Sequence, residues 1–340
     1  MYSHADQSIG RTRMFELVTS FWVTRAVYVA AELEIADYLA AGPRSVAELA
    51  EATGTHEQSL YRLLRLLASV GVFTETDPRT FQSTSLGSAL RSDIPGSLRP
   101  YVLLQLGIHY DVWGELSHAI RTGDAVFEKA LGAPLWQYYA EHPAENAILG
   151  AAMSSMSEIM TADVLAAYDF GPYHTIVDVG GGEGALLTAI MAGHPSAHGI
   201  LFDQPHVVAN AHQRIAAAGL TDRCEVVGGD FFAEVPGGGD LYVAKWVLHD
   251  WSDEESVEIL SVIRKAMPDQ ATLLIVDSVI QAGNQPAPSK LVDLNMLVCN
   301  AGQERTREQF ESVLTAAGFG LVQIRSLPSA SSLVEAKPVS

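Results

Sequence analysis

A chain of 340 residues has room for two domains, because one hydrophobic core rarely grows beyond about 250–300 residues. Forty acidic against twenty-one basic side chains give a net charge of −19, which repels phosphate backbones and argues against nucleic acid as a partner. Cys224 and Cys299 are too few for a zinc cluster or a disulfide framework, and the apolar run Phe21–Ala31 is interrupted by Arg25 and ended by Glu32 before the roughly 20 residues a membrane span needs, so a soluble cytoplasmic protein is expected.

Met14–Ala41 is alanine-rich and apolar, with Glu16, Arg25, Glu32, Glu34 and Asp37 scattered through it. That pattern predicts one or two helices that bury much of their circumference, against a second subunit or within their own domain. Ser45-Val46-Ala47-Glu48 is a capping box with Gly54 as the stop, and Thr55-His56-Glu57-Gln58 repeats the device ahead of Leu60, Leu63, Leu64, Leu67 and Val70. Val72–Glu75 and Thr80–Ser83, joined by a turn at Asp77-Pro78, read as a hairpin. Two capped helices and a hairpin make a winged-helix module. Its second helix carries only Arg62 and Arg65 as cations, so structural use at a dimer interface is preferred to DNA binding. Tyr101–Trp113 and Leu135–Met160 predict further helices, rich in aromatic and methionine side chains that serve as core or wall a pocket for a flat apolar substrate.

Ile176–Gly184 reads as a buried strand, an acidic strand end and a glycine turn opening the helix Ala185–Ala192. Gly180, Gly182 and Ala185 satisfy the loose dinucleotide pattern, whereas Asp178 and the G-x-G-x-G spacing to Gly184 favour a cationic ligand with an amino group and a sulfonium. Either nucleotide is compatible with the turn by itself. Gly199–Asp203 is the next strand; Asp203 is placed to accept from two ribose hydroxyls or to cap the helix Pro205–Ala218. Cys224–Val227 leads to Asp230, an acceptor for an adenine amino group, with Phe231 against the ring. Leu241–Ala244 leads to Lys245 and His249, Ser252 caps a helix running to Met267, and Thr272–Val276 ends at Asp277. The helix Thr306–Ala317 and the strands Phe319–Arg325 and Ser332–Ala336 complete the chain. Alternating strands and helices predict a parallel, doubly wound sheet with ligands beyond its carboxyl ends, where Asp178, Asp203, Asp230, Lys245, His249 and Asp277 all fall. No histidine pair has ligand spacing such as H-E-x-x-H, so no metal is predicted.

The ordered run DVGGGEG, LFDQP, GGDFF, KWVLHDWSDEE and GQERT, preceded by the winged-helix module, resembles small-molecule O-methyltransferases of the caffeate/isoflavone type and their bacterial relatives acting on antibiotics and other aromatic metabolites. The resemblance covers nearly the whole chain. It implies an α/β fold: a dimerisation domain over 1–100, connecting helices lining the substrate pocket over 101–170, and a Rossmann-like class I methyltransferase domain with a mostly parallel seven-stranded sheet over 171–340. It implies S-adenosylmethionine as cofactor, held at Ser157, Gly180, Gly182, Asp203, Asp230, Phe231 and Lys245, with Asp178 ahead of the first glycine. Catalysis is implied at His249 with Asp277 and Glu304 flanking the imidazole, substrate contact at Met153, Trp246 and Asn300, and a homodimer paired through the N-terminal helices. Asp277 is one methylene shorter than the glutamate of plant members, and Asn300–Glu304 is one residue tighter than the plant pattern.

The implied chemistry is methyl transfer to an aromatic hydroxyl, with His249 taking the proton of a phenol whose pKa lies near 10. Three other readings stand beside it. His249 is a helix-entry histidine between Trp246 and Trp251; the chain keeps the cofactor for hydroxylation, decarboxylation or a pericyclic step; or it is a winged-helix regulator.

Overall fold

In the computed structural model, which describes residues 4–329 and 331–339, the chain forms two units. The first runs to Tyr110 and takes in Ala151–Ser155; the second comprises Asp111–Gly150 and the chain from Met156.

In the first unit, one helix, His4–Glu32, precedes the short helix Ile35–Tyr38, with Glu34 in the left-handed region between them (φ 56°). Strand β1 (Arg44–Ser45) leads into the helix Val46–Thr53, whose capping box is formed as the sequence predicts: Ser45 N donates to Glu48 Oε2 at 2.8 Å, and Gly54 closes the helix at φ 64°. The next helix, Glu57–Ser69, departs from expectation. Its cap is His56, whose Nδ1 accepts from Ser59 N at 3.3 Å, because the Thr55 hydroxyl pairs with Thr53 Oγ1 at 2.9 Å instead. Strands β2 (Phe73–Asp77) and β3 (Thr80–Ser83) form the hairpin, and β1 joins it in the order β1-β3-β2. A two-residue strand carries no periodicity, so β1 was not legible beforehand. Leu49, Leu60, Leu64 and Leu67 meet Ile35, Phe73 and Phe81 in this unit's core. The helical stretch expected over Tyr101–Trp113 is interrupted by a π-turn, Leu104–Ile108, with Gly107 at φ −97°, ψ −105°. The Tyr28 ring comes within 3.3 Å of where a Gly107 Cβ would sit, so a side chain here would have to push that ring back by a few tenths of an ångström.

The second unit is built on a seven-stranded sheet. Strands β4 (Thr175–Val179), β5 (His198–Asp203), β6 (Cys224–Gly228), β7 (Leu241–Lys245) and β8 (Thr272–Asp277) are parallel, and β9 (Phe319–Ser326) and β10 (Ser332–Pro338) add an antiparallel pair. The order β6-β5-β4-β7-β8-β10-β9 reverses direction between β4 and β7, which opens a crevice at the carboxyl ends of those strands. Side-chain alternation divides the core by face. Ile176, Leu201, Val243, Leu274 and Val276 pack on one side of the sheet; Val177, Val179, Phe202, Tyr242, Leu273 and Ile275 pack on the other.

Proline shapes three helical stretches of the chain after Tyr110. Leu135–Met160 is two helices, Leu135–Glu141 and Pro143–Ala167, because Pro143 lacks the amide to continue the first. Pro205–Ala218 is also two, Pro205–Val208 and Ala211–Ala217, and the first is capped by Gln204 and not by Asp203. The helix Pro288–Asn300 was not anticipated, since its proline read as part of a loop; Pro at the start of a helix is favourable because its missing amide is unused there. No described helix is long and apolar enough to cross a membrane.

Leu274 is fully buried at the centre of β8. Leu274→Ala is expected to lower unfolding stability by about 2–5 kcal/mol through lost burial and a residual cavity. Urea unfolding checks this, and a loss below about 1 kcal/mol would contradict the packing described.

Candidate active site

Strand β4 hands the chain to the glycine turn. Gly180, Gly182 and Gly184 all adopt positive φ (67°, 60° and 79°), the left-handed region open to glycine at little cost. A Cβ on Gly180 would lie 2.6 Å from Val247 Cγ2 and 3.8 Å from Phe231 Cε1, which places Phe231 beside the turn. A Cβ on Gly182 would meet nothing within 4 Å, so this backbone faces open space. Asp203, at the end of β5, accepts from Gly182 N at 2.8 Å and from Gln204 N at 2.7 Å. It therefore ties the turn to the neighbouring strand end. Asp230 is exposed and accepts from Phe232 N at 2.9 Å.

Asp178 is 1 % exposed, and neither of its oxygens makes a well-formed hydrogen bond. Burial pushes its pKa up to about 7, against the pull of the Lys245 ammonium. Lys245, at the end of β7, donates to Ser157 Oγ at 2.7 Å and lies 4.4 Å from the Trp246 ring centroid. Burial holds the Lys245 pKa below its ordinary value, while Asp178 and Asp277 draw it back up. Trp246 itself has φ 55°, a costly conformation for a bulky side chain, and its amide donates to Val276 O at 3.0 Å. These groups suit S-adenosylmethionine. A buried, unpartnered carboxylate, an open glycine cradle and an acid at the β5 end offer acceptors for its cationic part and space along its backbone-facing edge.

His249 lies on a single 3-10 turn, Leu248–Asp250, after β7 and is almost fully buried. Its Nδ1 is 2.9 Å from Glu304 Oε1, a hydrogen bond, and 3.9 Å from Asp277 Oδ1, which is too far for one. Asp277 is thus brought to the imidazole but does not bond it, consistent with its shorter side chain. On the other edge of the ring, Nε2 is 3.8 Å from Asp250 Oδ1. Burial by itself lowers the pKa of His249, but Asp250, Asp277 and Glu304 outweigh it and bring the pKa up to about 10. Burial raises the pKa of Asp277 to about 7 against the opposing pull of His249. Asp250 was not singled out from the sequence, although it adjoins His249 in the quoted run.

Asn300 is bonded within the second unit. Its Nδ2 donates to Asp250 Oδ1 at 2.7 Å, and its Oδ1 accepts from Gly302 N at 3.2 Å. Met153 belongs to the first unit. Gly302 was also missed: a Cβ there would lie 2.1 Å from the His249 carbonyl oxygen, so the strand of chain carrying Glu304 reaches the imidazole only with glycine at this position. The tightness of Asn300–Glu304 in the sequence was the available signal. Among the described residues no group of three or more His, Cys, Asp or Glu side chains is placed to hold a metal ion.

Comparison with known proteins agrees with this geometry. Residues 113–320 match the O-methyltransferase domain family and residues 15–93 match the O-methyltransferase dimerisation domain family. The chain is 44% identical over 326 residues to phenazine O-methyltransferase PhzM of Lysobacter antibioticus, covering 96% of both chains. The solved structure of LaPhzM superposes with a TM-score of 0.93 at 43% identity, covering 97% of this chain and 99% of that one. Human N-acetylserotonin methyltransferase, solved with S-adenosylmethionine, superposes with a TM-score of 0.91 at 26% identity over the whole of both chains. Strand order, glycine turn and sequence together place the chain in the S-adenosylmethionine-dependent O-methyltransferase family, with a class I methyltransferase domain preceded by a dimerisation domain.

Proposed function

We propose that the protein methylates a phenolic hydroxyl of an aromatic natural product, with His249 as general base. The observation that carries this reading is the 2.9 Å contact between His249 Nδ1 and the buried Glu304 carboxylate, which fixes the ring and leaves Nε2 for the acceptor. S-adenosylmethionine, when bound, supplies a methyl group activated by a positive sulfonium. His249 Nε2 takes the hydroxyl proton as the acceptor oxygen forms its bond to the methyl carbon and the electron pair of the broken S–C bond stays on sulfur. Glu304 holds the tautomer with Nδ1 protonated, and Asp250, Asp277 and Glu304 stabilise the imidazolium that results. A base near 10 is matched to a phenol near 10, so the proton moves between groups of similar affinity.

The same reading assigns cofactor contact to Ser157, Asp178, Gly180, Gly182, Asp203, Asp230, Phe231 and Lys245, and acceptor contact to Met153 and Trp246. It assigns acceptor contact to Asn300 as well, whose Nδ2 also donates to Asp250 Oδ1. The phenazine named for the Lysobacter relative supports a flat aromatic acceptor. A homodimer is part of the proposal. Phe15, Val18 and Trp22 on the first helix are 66%, 61% and 57% exposed within one chain, an apolar face that a second copy would cover within the matched dimerisation domain.

Two outcomes follow. Purified protein with S-adenosylmethionine and aromatic hydroxyl compounds should give a product heavier by one CH2, and His249→Ala should cut turnover by about 10²–10⁴-fold at the pH optimum of the wild type, where the neutral ring is available, with little change in cofactor affinity by calorimetry. Unchanged turnover in that variant would remove His249 from the mechanism.

The second outcome concerns pH. Because the folded pKa of His249 is raised, the ring is protonated below about 10, and the neutral base becomes more abundant as pH rises from 6.5 toward that value. kcat/KM should therefore climb over this window. Glu304→Gln, which removes the charge but keeps an acceptor, should move the rising limb to lower pH; an unmoved limb would show that Glu304 does not tune the base.

A further inference from the structure

Arg305 follows Glu304 in the chain and is 1 % exposed, the largest of the fully buried side chains described. Its guanidinium bonds the backbone that carries the imidazole. Nη1 donates to Leu248 O at 2.7 Å, and Nη2 donates to Trp251 O at 2.9 Å and to Ser256 Oγ at 2.9 Å. Nε donates to Asp253 Oδ1 at 2.8 Å, an oxygen shared with Gln303 Nε2 at 2.9 Å. Leu248 and Trp251 bracket His249, so the fork grips the chain on both sides of the base.

The turn Leu248–Asp250 is three residues long and has no side-chain cap. One such turn does not hold its own place, because the first hydrogen-bonded turn fixes several dihedrals for a single bond. The Arg305 backbone is itself anchored: Ile280 N donates to Arg305 O at 3.0 Å, and Val279 and Arg305 form a parallel bridge just beyond Asp277. Gln303 N donates to His249 O at 2.9 Å, and Glu304 N to Asp293 Oδ1 at 3.0 Å. The three residues 303–305 thus register His249, Glu304 and the end of β8 against one another.

We propose that Arg305 is a positioning residue for methyl transfer, holding the His249 turn by its flanking carbonyls so that the imidazole stays on Glu304 with Nε2 aimed at the acceptor. This rests on His249 being the base. Only a guanidinium suits the task, since it presents donors in a rigid planar fork, whereas a lysine ammonium is a point charge on a flexible stem. Its positive charge also works against the burial that raises the Asp277 pKa.

The test is a double-mutant cycle with Arg305→Lys and His249→Ala, read as single-turnover rate, with histidine-selective NMR of the His249 ring assigned by its loss in His249→Ala. Displacement of a reacting group by about 1 Å costs on the order of 10²-fold, so Arg305→Lys should lower the rate by about that factor with cofactor affinity kept, and its His249 ring signals should move. In the His249→Ala background Arg305→Lys should cost less than about twofold, because the partner it positions is gone. An equal fold-loss in both backgrounds, or ring signals that do not move, would overturn the proposal. Full activity of His249→Ala alone would instead sink the general-base reading, with the ring signals still reporting on Arg305. Should Arg305→Lys not fold, Ser256→Ala, which removes one of the four acceptors, runs the same cycle: a smaller loss confined to the His249 background supports the proposal, and an equal loss in both overturns it.

Discussion

A buried ionised group is tolerated only where other charges or hydrogen bonds compensate it, and that constraint organises the carboxyl end of this sheet. Asp178, Lys245 and Asp277 lie at the carboxyl ends of three adjacent strands, β4, β7 and β8, the two carboxylates buried and the lysine half-buried between them. Lys245 offsets the two carboxylates, yet Asp178 keeps a pKa near 7 and two unpartnered oxygens, a deficit that a cationic ligand would relieve. One layer further out, His249 answers to Asp250, Asp277 and Glu304. Asp277 faces both cations and so couples the two layers.

Holding that arrangement is a matter of backbone. Residues 248–256 and 300–305 run together: Asn300 takes Asp250, Gly302 lies against the His249 carbonyl, Gln303 bonds that same carbonyl, Glu304 takes the ring and Arg305 takes the flanks. Any side chain at Gly302 would force the segments apart. The unanticipated helix Pro288–Asn300 delivers this segment, and Asp293 on it receives the Glu304 amide.

Strong local signals were legible in the sequence. The alternating pattern predicted the parallel strands within a residue or so at each end, and capping boxes at Ser45 and Ser252 formed as read. The glycine turn, even with Asp178 before it, left a dinucleotide and a cationic cofactor both open, and it was the ordered motifs that pointed to the O-methyltransferase family that the comparisons establish. What escaped depends on contacts distant in sequence. Arg305 stood within a quoted motif, but nothing local says that its guanidinium reaches carbonyls some fifty residues earlier. Thr55 resembled a cap until its hydroxyl found Thr53, and Asp203 resembled one until its oxygens were taken by Gly182 and Gln204. That Glu304 and not Asp277 bonds His249 was likewise decided by one methylene and the path of the backbone.

The central claim is that His249 accepts the proton of an un-ionised hydroxyl during transfer. Single-turnover methylation of a series of phenols graded in pKa, at the pH optimum of the wild type and in wild type and His249→Ala, tests it most directly. The variant should react only through pre-formed phenolate, so the wild-type advantage grows as acceptor pKa rises and vanishes for phenols already ionised in the assay. An advantage that stays constant across the series would contradict it.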